Sequence, residues 1–422
     1  MSNFLNLCTH WEGVPSSNVG GMYHARSKLF QNSPSVPPPC TWEEQCRPVD
    51  ALPLMNRMTW EGQLSPDSDY KAVEWVRELG LFVAVASAGS GDLSMISSDG
   101  IQWTPIAAPN GEWESMAWSS ELELLVAAAS NGAGAPVMTT PNGLVWTLDS
   151  GQAGVEWEGV TWSSSLSLFV VVTSSGSGER VWTSPDGTTW QTQTSAVDSD
   201  WADVTWSPDL GLFVAVARSG SGDRVMTSPN GIAWTSQSSP ANDWVHVVWS
   251  PELHKFAAIS PTDLGNQVMT SPDGVLWEDH PTPGANEWRS VVWSPEVRIF
   301  VAVATTGTGD RVMVSPDGIH WSLQTTPADN EWQSVTWSPE LGMFVAVASS
   351  GSADRVMTST VTCPNETTWV VGSGCIPRAC LNGTQWLDQC IANFCPPNAA
   401  WREGQCRVSP KSLLCGTNVL PS

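Results

Sequence analysis

The sequence predicts an all-β chain whose residues 57–360 form a seven-bladed β-propeller with an N/C-terminal strand latch, followed by a small disulfide-rich C-terminal region. Three observations predict it: aromatic landmarks that recur every 43–44 residues, four short β-rich runs within each repeat, and a last repeat whose missing strand stands at the front of the array.

The landmarks form three series. The first is Trp60, Trp103, Trp146, Trp190, Trp234, Trp277 and Trp321; the second is Tyr70, Trp113, Trp157, Trp201, Trp244, Trp288 and Trp332. The third is Trp75, Trp118, Trp162, Trp206, Trp249, Trp293 and Trp337. Twenty of the 26 Trp fall on these positions, so they are read first as packing devices that fill the gap between thin blades. That leaves Trp11, Trp42, Trp182, Trp369, Trp386 and Trp401 outside the register, and of these Trp369, Trp386 and Trp401 are the candidates for stacking on a ligand.

Within a repeat, WQSVTWS (332–338) reads as strand A and the continuous apolar run LGMFVAVAS (341–349) as strand B, buried on both faces. DRVMTS (354–359) reads as strand C, and the short piece around the first Trp series, as in IHWSLQT (319–325), as strand D. Gly/Ser-rich turns such as SGSGDR (219–224) and PDG or PNG tripeptides separate them. The last repeat loses its strand D at Thr360, while Trp60 precedes Tyr70 by the same ten residues that separate Trp103 from Trp113. Residues near 57–63 therefore supply the missing strand and close the ring. A linear β-solenoid is the competing architecture, and it needs no shared last unit.

Between strands C and D runs SSDGIQW (97–103), TPNGLVW (140–146), SPDGTTW (184–190), SPNGIAW (228–234), SPDGVLW (271–277) and SPDGIHW (315–321). Asp or Asn nucleates such a turn by bonding its own backbone, and Gly takes the positive φ. The motif resembles the Asp-box, or BNR repeat, of sialidase-like propellers, with one residue fewer between Asp and Trp. The resemblance covers about 300 residues of the chain and implies a structural role for Asp99, Asn142, Asp186, Asn230, Asp273 and Asp317. The array is also similar to repeat proteins of large DNA viruses and phages, which implies a virion or adhesion part.

An enzymatic reading follows from the same resemblance. Sialidase-like enzymes use an Arg cluster and a Tyr nucleophile paired with an acid. Here Tyr70 replaces a repeat Trp and Tyr23 lies outside the repeats. Arg180, Arg224, Arg311 and Arg355 share one repeat position, each after an acid, and are expected to pair with that acid at the surface. No break of the repeat symmetry brings unlike groups together, so no catalytic residue is assigned. A two-carboxylate glycosidase stays as the alternative, because 42 acids offer many pairs. No metal or cofactor is expected: His10, His24, His246, His254, His280 and His320 lack ligand spacing, with His246 and His320 read as strand residues.

The net charge of −24, with 4 Lys beside 14 Arg and no basic cluster, argues against nucleic acid as a partner. No apolar run is long enough to span a bilayer as a helix, so membrane insertion is not expected.

Residues 1–56 form an N-terminal extension with a Pro-rich stretch (34–40), and 361–422 form a Cys-rich tail. The tail holds three mini-units, CPNETTWVVGSGC, CLNGTQWLDQC and CPPNAAWREGQC. So short a segment needs covalent staples, and C-x₂-C zinc pairs are absent. Disulfide candidates are Cys363, Cys375, Cys380, Cys390, Cys395, Cys406 and Cys415, with Cys8, Cys40 and Cys46 from the N-terminal segment; pairing within each mini-unit is one option among fifteen for the first six. Asn365 and Asn382 open glycosylation sequons. The start MSNFLNLCTHWEGV does not read as a secretory signal, yet disulfides imply an oxidising setting. A virion protein matured by a virus-encoded oxidase, a leader hidden by the choice of start codon, or another export route reconciles the two.

The functional expectation is a non-enzymatic binding or structural propeller, extracellular or on a virion surface, that recognises a glycan or a protein. A purely architectural subunit that self-assembles or binds virion partners is a further alternative.

Overall fold

The computed structural model describes residues 58–361 except 90–91, 131–135, 150–153 and 263–265, and, in the tail, 363, 367–371, 374–377, 399–402 and 405–408, the last two stretches for their backbone. Calls that rest on Cys8, Cys40, Cys46, Cys380, Cys390, Cys395, Cys415, Trp386, Asn365 and Asn382 lie outside the described residues, as do the side chains of Cys406 and Trp401.

Seven four-stranded antiparallel sheets follow one another. Blade 2 shows the pattern: strand A Trp113–Ser119, B Leu124–Ala129, C Val137–Thr140 and D Thr147–Asp149, paired in that order. Strand A of blades 1 and 3–7 is Ser68–Val76, Trp157–Ser163, Trp201–Ser207, His246–Ser250, Trp288–Ser294 and Trp332–Ser338. Strand B is the buried centre; in blades 6 and 7 (Ile299–Ala304, Met343–Ala348) every residue of it is buried.

The latch is present. Met58–Gln63 pairs antiparallel with Val356–Val361, from Met58↔Val361 to Gln63↔Val356. Other blades pair three residues of strand D with strand C, as in Val312↔Gln324 to Val314↔Ser322. Here six pair, because strand C of blade 7 does not turn back at a PDG motif and runs on through Thr360 and Val361. The Gln63 side chain bonds Thr358 at 2.9 Å, and Asp67, Ser65 and Asp69 tie the entering chain to Ala353 and Arg355.

All three aromatic series pack inside. The second series is fully buried from Tyr70 through Trp332. Several of its indole N–H groups donate to the carbonyl four residues back, as Trp113 does to Pro109 at 2.8 Å and Trp244 to Pro240 at 2.9 Å. In six blades the third-series Trp packs tilted against the Phe of its own strand B, with ring centroids 4.3–4.6 Å apart, as in Trp206–Phe213 and Trp337–Phe344, while blade 2 has Leu125 opposite Trp118. Five of the third-series indole N–H groups then cross to an acid on the A–B turn of the preceding blade. Trp162 reaches Glu121 at 2.8 Å, Trp249 reaches Asp209 at 3.2 Å, Trp293 reaches Glu252 at 2.6 Å, Trp337 reaches Glu296 at 2.7 Å, and Trp75 closes the circle on Glu340 at 2.8 Å.

The C–D turns repeat one bonding scheme. In blade 1 the Ser97 hydroxyl accepts from Gly100 N–H at 2.8 Å, Asp99 Oδ1 accepts from Ile101 and Gln102 N–H at 2.8 Å each, and the Trp103 indole donates to Gly100 O at 2.9 Å. Asn142, Asp186, Asn230, Asp273 and Asp317 accept the same pair of backbone bonds. Gly is required twice over: φ is +72° at Gly100, and a Cβ there would lie 2.8 Å from Met343 of the preceding blade.

Cys363 and Cys375 form a disulfide, which is the within-unit pairing of the first mini-unit. Its hairpin, Thr367–Val370 with Gly374–Pro377, packs on blades 6 and 7, with Cys375 fully buried beside Val297 and Ile299. Val297 is 0% exposed, whereas its repeat equivalents Leu122, Leu166 and Leu210 are 40–42% exposed. The hairpin thus covers a position that the C–D turns leave exposed in those blades. A backbone hairpin also joins Ala399–Arg402 to Gln405–Val408, with Trp401 opposite Cys406 as Trp369 is opposite Cys375.

Candidate functional site

Seven strands A surround a central channel of about 650 Å³. Its polar lining comes from a backbone irregularity. In blade 2 Trp113 pairs with Ala129 and Ser115 with Ala128, which leaves Glu114 as the extra residue of a bulge. The same skip isolates Lys71, Ala202, Arg289 and Gln333, and in blade 3 it takes out Glu158 with Gly159. A bulge residue owes nothing to the sheet pattern and can be re-aimed. Around the ring these positions read Lys71, Glu114, Glu158, Ala202, Val245, Arg289 and Gln333, and all but Val245 follow a bulge register shift. This corrects the expectation of unbroken symmetry: unlike groups do converge from different blades. Each of these positions is the residue after a second-series aromatic, and it varies from blade to blade.

The charges interact. Arg218, in place of the Ser found at 130 and 174, pairs with Glu158 at 3.0 Å, and Ser174 donates to Glu158 at 2.8 Å. Burial raises the Glu114 pKa, with Lys71 opposing it. Burial lowers that of Arg289, reinforced by Arg218. The next ring of residues ties blade to blade: Ser115, Asp203, Ser290 and Ser334 accept the backbone N–H of Val160, Val247, Val335 and Val73. Burial raises the Asp203 pKa, while His246, 3.8 Å away, pulls it down. Further along strand A of blade 1, Glu74 takes a place held by Ala117 or Thr161 in its neighbours, and burial pushes its carboxyl up to about 7.

The two faces around the channel differ. The A–B and C–D turns share one face, which exposes Ile101, Leu144, Val145, Ile232, Val275 and Leu276 at 43–68%. The B–C turns and D–A loops share the other, which carries the repeated Arg residues. Those arginines do not pair with the acid before them, as the sequence suggested. Arg311 donates to the carbonyls of Gly307, Thr305 and Asn330, and Arg355 to those of Gly351 and Ser349 and to Asp69, which belongs to the next blade. Arg180 and Arg224 likewise reach Asp198 and Asp200, or Asp243, ahead of the following blade. The preceding acid caps its own loop instead: Asp310 Oδ1 accepts from Thr308 N–H and Asp354 Oδ1 from Ser352 N–H. These arginines are interblade clamps, 11–16% exposed, rather than surface pairs.

Two further expectations are corrected. Trp369 is no open stacking platform: it meets Trp337 edge-on at 5.6 Å and donates to Pro339 O at 3.1 Å. His320 lies in the C–D turn, not in a strand, with Nδ1 2.8 Å from Asp317. Trp182, also outside the register, is buried against Trp157. Among the described residues no three His, Cys, Asp or Glu gather to hold a metal.

No protein-family model and no curated protein matches this chain. Solved structures do share its fold. Virginiamycin B lyase from Staphylococcus aureus aligns at 9% identity with a TM-score of 0.59, over 72% of this chain and 99% of the lyase. The β-propeller domain of Cps50 (Swd1) from Myceliophteria thermophila aligns at 10% identity and 0.54, over 72% of this chain and 100% of that domain. A GH74 enzyme from Niastella koreensis aligns at 12% identity and 0.56, over 70% of this chain and 53% of the enzyme. At such identities the likeness is one of fold, shared by a lyase, a GH74 enzyme and the Cps50 propeller domain alike: the chain is a seven-bladed, tryptophan-rich repeat propeller.

Proposed function

We propose that this chain is a non-enzymatic binding propeller, displayed outside a cell or on a virion surface, that recognises a protein through the face built by its A–B and C–D turns. The observation that carries this reading is the apolar rim of that face, where Val145 is 66% and Leu276 68% exposed at the tips of turns whose Asn142 or Asp273 accepts two backbone N–H bonds. Aliphatic side chains of this kind suit protein contacts better than sugar rings, which stack on flat aromatics, so a protein ligand is favoured over a glycan. The bonding of the six turns also supports taking the repeat as one of the Asp-box class.

The test is binding of the labelled full chain to intact cells, read by flow cytometry before and after protease or glycosidase treatment. Protease-sensitive binding that Val145→Glu with Leu276→Glu removes supports the reading. Binding lost only to glycosidases moves the ligand to glycans. Saccharide hydrolysis by the wild type in a fluorogenic panel would replace the reading with a glycosidase. Absence of binding with ordered oligomers in sedimentation would replace it with an architectural subunit.

A further inference from the structure

The tail hairpin shows what an A–B turn can hold. Its Trp369 seats on the turn of blade 7 (residues 339–342), where the indole meets Trp337 edge-on at 5.6 Å and donates to Pro339 O at 3.1 Å. It lies so close on Gly342 that a Cβ there would stand 2.8 Å from the indole Cε2. Backbone conformation alone does not call for that glycine. The same turn position is left-handed in every blade, and four blades fill it with Glu123, Ser167, His254 or Arg298 at φ of 47–58°. What Gly342 adds is room for a flat ring.

Two other blades keep a glycine here, Gly80 and Gly211, and nothing lies within 4 Å of where their Cβ would be. Blade 4 repeats the blade 7 seat: WSPDLGLF (206–213) differs from WSPELGMF (337–344) only in Asp for Glu and Leu for Met. Pro208 is exposed, and among the described residues no donor meets its carbonyl, the counterpart of Pro339 O. Trp206 is half-buried, whereas Trp337, under Trp369, is 6% exposed. In blade 1 Arg77 replaces the proline, its carbonyl accepts Gly80 N–H at 3.1 Å, and its guanidinium pairs with Glu340 at 2.6 Å. Only blade 4 thus keeps the glycine, the proline and the unmet carbonyl with no ring on them.

The neighbouring turn adds apolar surface. The C–D turn of blade 5 packs on strand B of blade 4, where a Cβ on Gly274 would lie 3.2 Å from Leu212, the residue after Gly211. The two residues after Gly274 are Val275 and Leu276, 43% and 68% exposed. A half-covered indole, an aliphatic pair and one unmet carbonyl match a ligand that is flat, apolar and carries a single N–H, which is an indole.

We propose that the A–B turn of blade 4 binds a tryptophan side chain of the protein ligand, with the ring laid on Gly211 and edge-on to Trp206 and its N–H on Pro208 O. The inference rests on the turn-face reading above and names the chemistry of that partner.

The test is fluorine NMR of N-acetyl-fluorotryptophanamide titrated against the full chain. Saturable binding by about 10 mM probe is expected, weakened about tenfold or more in Gly211→Ser and unchanged in Gly80→Ser. Gly211→Ser copies the residue that blade 3 carries at this position, and melting curves check that it folds. Methylating the indole nitrogen of the probe removes its donor without touching the protein and should weaken binding about fivefold. No saturation at that concentration, equal binding by the wild type and Gly211→Ser, loss in Gly80→Ser instead, or indifference to methylation overturns the proposal. In the cell assay Gly211→Ser should lose binding as Val145→Glu with Leu276→Glu does. If it keeps binding while that double variant loses it, the indole site falls and the turn-face reading stands. If the wild type binds no cells yet holds the probe at Gly211, that reading falls and the site stands.

Discussion

Five third-series indoles find an acid on the preceding blade, but Trp206 does not. Its Nε1 is buried without a partner. The residue that should serve it, 41 positions earlier, is Ser165, where the neighbouring blades carry Glu121 for Trp162 and Asp209 for Trp249. Ser165 is exposed on its turn, and the Ser163 hydroxyl already accepts the Leu166 N–H that shapes that turn. Ser165→Glu should therefore place a carboxylate against Trp206. A charged hydrogen bond to a buried donor is worth about 1.5–3 kcal/mol, and ordering a Glu side chain costs up to about 1.5–2 kcal/mol, so the net gain is about 1 kcal/mol. In a domain of this size that is roughly 2 °C in Tm. Glu296→Ala, which strips Trp337 of a buried 2.7 Å bond, should cost about 2 kcal/mol or more. The assay is reversible denaturant unfolding of Ser165→Glu, Trp206→Phe and the double variant. A gain that survives in the Trp206→Phe background, or no gain while Glu296→Ala is costly, refutes the reasoning. Trp118 marks the limit of the rule: it too lacks a partner although Glu78 holds the matching position. The turn before it begins at Val76 rather than at the Ser whose hydroxyl accepts the third N–H in the other six blades.

Glu74, with its carboxyl up at about 7 from 4.5, binds a proton more tightly in the folded chain, so stability should fall as pH rises between these values. The full difference corresponds to about 3 kcal/mol, which channel water reduces to about 1–2 kcal/mol; Glu74→Gln should flatten the drop between pH 5 and pH 8 in a melting series, and an unchanged slope would count against it. At Asp317 burial opposes ionisation but the N–H groups and side chain of His320 and the N–H of Ile319 prevail, holding it down to about 2. That turn's contribution is present above about pH 4 and lost only as pH falls through its folded value, so Asp317→Ala should lower Tm at pH 6 and cost less at pH 2. Arg311→Met should destabilise by about 2 kcal/mol because three carbonyls lose their donor, whereas Asp329→Ala, removing a partly exposed partner, should cost under about 1 kcal/mol; equal costs would return the clamp to a surface ion pair.

The frame was legible because it repeats. A side chain needed at the same place in every blade, such as Trp113 or Gly100, leaves a period in the sequence, and the offset of Trp60 from Tyr70 revealed the latch for the same reason. What the repeat hides is direction. Arg311 follows Asp310, and only the fold shows it turning away to the loop ahead of the next blade. The channel ring was hidden differently: the bulge puts Glu114 and Arg289 out of step with the strand alternation, so they read as unremarkable variation beside an invariant Trp. Trp369 broke the register as a ligand platform would, yet its indole packs on Trp337 and donates to Pro339 O in the A–B turn of blade 7.

Hydrogen–deuterium exchange of the intact chain, followed by mass spectrometry of the peptide over residues 58–63, tests ring closure most directly. Six paired residues on Val356–Val361 predict protection comparable to that of strand B in blade 7, lost together with it as denaturant is added. Exchange at the rate of an unpaired segment, with residues 343–348 still protected, would contradict a propeller closed by its own first strand.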